Sequence, residues 1–92
     1  MKKYLIEREI PGVDQLDAQQ LAGAAATSNA ALATLGPKKV QWVESFVAKD
    51  KTFCVYLAED EATVQEHARL SGFPANRVTE ISGKIDPTTA GA

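Results

Sequence analysis

Few side chains in this sequence could carry chemistry, and they are widely spaced. His67 is the only histidine. With Val64, Ala68 and Ser71 it falls on one stripe of a helix, so it flanks a face that a core would bury. A group titrating near neutrality could serve there as metal ligand or proton carrier. A helix-end histidine favoured by the macrodipole before Gly72 is the simpler explanation, because no second histidine accompanies it. Glu44 sits between Trp42 and Phe46 in W-V-E-S-F-V. A carboxylate buried in such company needs a partner, a proton or a metal, whereas on an edge strand it reaches past the rim to water. Cys54, the lone cysteine, reads as a small core or interface residue. Ser45 and Tyr56 add hydroxyls on the same two strands, placed to line a pocket or an interface with Cys54. There is no C-x-x-C, no H-E-x-x-H and no glycine-rich phosphate loop. A Cys-His pair would lack a third group to orient it.

The bulk properties narrow the classes of partner. The chain has 92 residues, 45% hydrophobic and 24% charged, with a net charge of −2. One domain of this size builds one core, and oligomerisation would help its stability. The ten basic residues are scattered, which gives no concentrated face for a phosphate backbone and argues against nucleic acid. No apolar run is long enough to span a bilayer. Glu7 and Glu9 interrupt any signal-peptide core after the basic start, so the folded protein is expected to begin at Met1 and to be cytoplasmic. A single cysteine fits a reducing compartment.

The elements that must position these groups follow from pattern. K-Y-L-I-E-R-E-I, residues 3–10, is rich in strand formers and ends at the turn signal Pro11-Gly12. Its Glu7, Arg8 and Glu9 read as cross-strand ion pairs. Asp17 with Gln20 forms a capping box, Leu16 and Leu21 a hydrophobic staple, and Gly36-Pro37 a stop, predicting a first helix whose inward stripe is Leu21, Ala25, Ser28, Leu32 and Leu35. Residues 39–47 and 52–58 read as a hairpin with A-K-D-K at its solvated turn. Asp60 caps a second helix over 61–71, and 77–82 is a last short strand. The order β-α-β-β-α-β is that of an α+β ferredoxin-like sandwich, a four-stranded antiparallel sheet with both helices on one face. Residues 1–83 make this single domain, and 84–92 a flexible C-terminal tail.

Alternation along the hairpin sets Trp42, Glu44 and Phe46 with Phe53, Val55 and Leu57 on one face, and Val43, Ser45 and Val47 with Thr52, Cys54 and Tyr56 on the other. Both faces are apolar, yet two helices cover only one. The expectation is a homodimer packed sheet to sheet, or one closed through strand exchange at the rim, in which another copy covers the second face, with Ser45, Cys54 and Tyr56 lining that contact or a cavity beside it.

Y-L-I-E-R-E-I-P-G, W-V-E-S-F-V-A-K-D-K-T-F-C-V-Y and E-H-A-R-L-S-G-F-P-A-N-R-V-T-E-I together resemble a family of small domains of unknown function, from Tyr4 to Ile81. Its characterised representative is a nickel-binding, ferredoxin-like dimer. The resemblance implies the same fold and a dimer, and it makes nickel or another divalent transition metal the leading ligand, with Glu44 and His67 as the candidate donors. A lone carboxylate where the family can carry histidine departs from what a nickel site prefers. Two functional expectations result. One is a small dimer that binds a transition metal or small ligand without catalysis. The other is a cofactor-free enzyme of the monooxygenase or isomerase type, with His67 as general base and Tyr56 or Ser45 as hydrogen-bond donor. A protein-interaction module is a third.

Overall fold

The computed structural model describes residues 1–91. It contains strand β1 (Lys2–Glu9), helix α1 (Ala18–Leu35), strands β2 (Val40–Ala48) and β3 (Lys51–Ala58), helix α2 (Glu61–Ser71) and strand β4 (Arg77–Ile81). The sheet is antiparallel throughout, in the order β2-β3-β1-β4. Right-handed crossovers place both helices on one side of it. This is the α+β ferredoxin-like arrangement that the sequence predicts. No helix among the described residues is long and apolar enough to cross a membrane.

The ends of α1 are set by local chemistry. Asp17 Oδ1 accepts from the Gln20 N–H at 2.8 Å, and Gln20 Oε1 accepts from the Asp17 N–H at 3.0 Å, so both members of the capping box are satisfied. Gly72 ends α2 at φ +79°, a left-handed conformation that glycine adopts without strain.

Two short 3-10 helices were not foreseen, Val13–Gln15 and Pro87–Ala90. The second lies in the expected tail, and all its residues are exposed. The first packs under the end of the sheet through buried Val13. It is held there by the β2–β3 turn. The Gly12 N–H donates to Asp50 Oδ1 at 2.9 Å, the Ile10 N–H to the Asp50 carbonyl at 3.0 Å, and the Asp50 N–H to Asp14 Oδ1 at 3.3 Å. Asp50, expected only as a solvated turn residue, is thus a clamp. It has the turn's one left-handed non-glycine backbone, φ +58°.

Two expectations about the hairpin need correction. The register of β2 against β3 shifts between Trp42, which faces Tyr56, and Glu44, which faces Val55. Val43 is the extra residue of a β-bulge, and a bulge reverses the side on which the preceding side chains emerge. Trp42 therefore joins Ser45, Val47, Thr52, Cys54 and Tyr56, and Val43 stands half exposed at the bulge. The second correction concerns which face is covered. Tyr56 and Cys54 lie under the helices, in a core with Tyr4, Ile6, Val40, Ala58 and Val64. The uncovered face carries Leu5, Glu44, Phe46, Phe53, Val55, Leu57 and Ile81. Phe46 is 55% exposed, while Phe53, Val55 and Leu57 are half buried by their neighbours. On this face Glu7 lies 3.9 Å from Lys51 and 3.8 Å from Arg77, beside an apolar centre.

Candidate functional site

Between the sheet and the first half of α1 lies a cavity of about 280 Å³. Its floor is the helix-facing side of β1, β2 and β3. Its roof is α1, which contributes Leu21, Ala24, Ala25 and Ser28, and the first 3-10 turn closes one end with Val13. Three of those four α1 side chains are alanine or serine, too short to fill the space above the strands. Val47, 47% exposed, marks the cavity's margin on the edge strand.

A few polar groups interrupt the apolar lining. Ser28 Oγ is 3.0 Å from Tyr56 Oη and 3.1 Å from His67 Nε2, so the serine joins the two rings, whose centroids lie 4.9 Å apart. Ser28 and Tyr56 line the cavity, and His67 stands behind them. The Trp42 indole stacks near Tyr56 and donates from Nε1 to Ser45 Oγ at 2.9 Å. The bulge makes this possible, because it turns Trp42 onto the side where Ser45 already points. Cys54 is buried, with Sγ 3.4 Å from Thr52 Oγ1.

Arg8 is the group that sequence reasoning missed. It was expected in an ion pair on the strand surface, but it is only 2% exposed and lies on the cavity floor. Nη1 donates to the carbonyls of Phe73 at 3.4 Å and Pro74 at 3.0 Å. Its guanidinium carbon is 5.8 Å from the centre of the Tyr56 ring. Nη2 has no partner. An unmet buried donor costs about 1–3 kcal/mol, more when charged. The signal was present in the alternation of Tyr4, Ile6 and Arg8, which assigns the arginine to the buried side of β1.

The candidate metal donors fall on opposite faces of the sheet. Glu44 is exposed on the uncovered face, as the edge-strand alternative has it. His67 is 1% exposed, its Nε2 engaged by Ser28 and its Nδ1 without a partner. Among the described residues no three His, Cys, Asp or Glu side chains gather into a metal-holding group. The chain's donor set does not fit a metal centre within one subunit.

Residues 4–81 match the family model described as nickel responsive protein SCO4226-like. The fold is similar to the crystal structure of SCO4226 from Streptomyces coelicolor A3(2), with a TM-score of 0.73 and 16% sequence identity over 90% of this chain and 99% of that one. No curated protein matches.

His67 makes stability depend on pH. Burial pushes its pKa below the ordinary value, with a smaller push from the positive charge of Arg8. The unfolded chain takes up the proton first, at about pH 6.5. The stability contributed by neutral His67 is therefore complete above that pH and is lost as pH falls below it, toward the depressed folded-state value. Urea unfolding between about pH 7.5 and 5 should show a falling midpoint for the native protein and a flatter profile for His67→Gln. Equal slopes for the two would show that His67 does not titrate as its burial requires.

Proposed function

The chain belongs to the SCO4226-like family, and we propose that within it this protein binds a small molecule without catalysis, using the cavity between the sheet and α1. The observation that carries this is the cavity itself. It is largely apolar, has a few convergent polar groups, and lies just below the range of ~300–1,000 Å³ common for small-molecule sites. A compact ligand of roughly ten non-hydrogen atoms suits that size. Saturation-transfer NMR with para-cresol tests it. Binding is expected to the native protein and to weaken at least about tenfold in Ala25→Leu, which fills the space beneath α1. Equal binding by both proteins, with Ala25→Leu folded by circular dichroism, would contradict the cavity as the site.

One observation favours the enzymatic alternative, a cofactor-free monooxygenase or isomerase. The Tyr56–Ser28–His67 chain leads from the cavity to a histidine whose burial keeps it neutral at pH 7, the state a general base needs. Its Nδ1 has no group to orient it, and the imidazole meets the cavity only through Ser28. Binding without turnover is the better-supported reading.

The family's name connects it with nickel. In this chain an interior nickel site would draw on one buried, already engaged histidine, so nickel contact falls to exposed carboxylates, Glu44 among them. Calorimetric titration with nickel is expected to give affinities within about twofold for the native protein and His67→Ala, and a weaker one for Glu44→Ala. The opposite ranking would return the metal to the interior.

The uncovered face is proposed to pack against a second copy. Its half-buried apolar centre, flanked by Glu7 with Lys51 and Arg77, supports self-association through burial of apolar surface. Sedimentation at micromolar concentration should give a dimer, and Val55→Glu a monomer. A native species of 9.8 kDa would sink the dimer.

A further inference from the structure

We propose that the ligand of the cavity is an organic monoanion, a carboxylate on a small apolar body, and that Arg8 is the residue that pairs with it. This rests on the cavity being a ligand site. Arg8 lines the cavity at 2% exposure, and its given partners are the neutral carbonyls of Phe73 and Pro74 and the face of Tyr56. Nη2 is buried with nothing to donate to. A guanidinium taken out of water calls for an anion and for acceptors to match its hydrogens.

Among the described residues no side chain supplies that anion. The neighbouring carboxylates on β1 emerge on the other face of the strand. Glu7 is turned toward Lys51 and Arg77, and Glu9 is exposed. No ion pair among the described residues includes Arg8. The surrounding positions on β3 and α1 are Thr52, Cys54, Tyr56 and Ser28, none of them acidic.

The rest of the lining fixes the remainder of the ligand. Val13, Leu16, Leu21 and Phe73 offer no hydrogen bonds, so the body beyond the carboxylate is apolar. Among the described residues one guanidinium is the only cationic group lining the site. A carboxylate balances it, whereas a phosphate monoester would bring about two negative charges against one. The Tyr56 hydroxyl, 3.0 Å from Ser28 Oγ, is a further polar group lining the same cavity.

Trp42, the only tryptophan, stands in the cavity wall, and its fluorescence reports occupancy. Four probes suffice: phenylacetate and hexanoate, each against its neutral amide. The acids should bind the native protein at least about tenfold more tightly than the amides, through a charge-assisted contact that the amides lack. In Arg8→Gln the acids should fall to the level of the amides, whose own affinities stay within about threefold. Equal affinity of acid and amide for the native protein would overturn the anion assignment while leaving the cavity as a site. A preference that survives Arg8→Gln would do the same. Failure of all four probes to bind at millimolar concentration would overturn the cavity reading and this inference together. Should Arg8→Gln not fold, the acid–amide comparison in the native protein still decides.

Discussion

The first half of helix α1 covers the sheet mostly with side chains too short to fill the space beneath it. Ala24, Ala25 and Ser28 face the strands where a packed core would carry leucine or phenylalanine, and close packing is the ordinary condition of a protein interior. An unfilled volume forfeits the dispersion contacts of its lining. The same short side chains leave room for Tyr56 and Arg8 to stand in the interior beside the cavity. Ser28 is small enough for its hydroxyl to meet both Tyr56 and His67. The cavity, the hydroxyl–imidazole chain and the solitary guanidinium are thus consequences of one feature, a small-residue stripe on one helix.

The two faces of the sheet divide the labour. The helix side holds all of the buried polar groups, and a single bulge at Val43 adds Trp42 to them. The open side holds Glu7 with Lys51 and Arg77 beside Phe53, Val55 and Leu57. Glu44 belongs to the open side and His67 to the covered side, and a sheet separates them. Any account that joins those two residues in one site must cross the sheet or call on another subunit.

The fold was legible because local signals agreed with the global pattern. The capping box at Asp17, the stop at Gly36, the cap at Asp60 and the glycine after α2 all sit where the periodicity requires them. The site was legible only in part. Strand alternation puts Ser45, Cys54 and Tyr56 on one face, but counting residues does not say which face the helices cover, and these three lie on the covered side. Trp42 was misplaced since nothing in W-V-E announces an unpaired residue, and one bulge defeats the count. Arg8 was read by its charge, when its position two residues beyond Ile6 and four beyond Tyr4 assigned it inward. Asp50 was read by its exposure, and its acceptance of the Gly12 N–H depends on a 3-10 turn that carries no strong sequence signature.

The central claim is that the space under α1 is a binding site and not a packing defect. A crystal of the native protein soaked in para-bromophenylacetate tests it directly through the anomalous signal of bromine. The account predicts one strong peak between α1 and the sheet, with the carboxylate density beside Arg8. A closed cavity, with bromine found only on the outer surface, would contradict it.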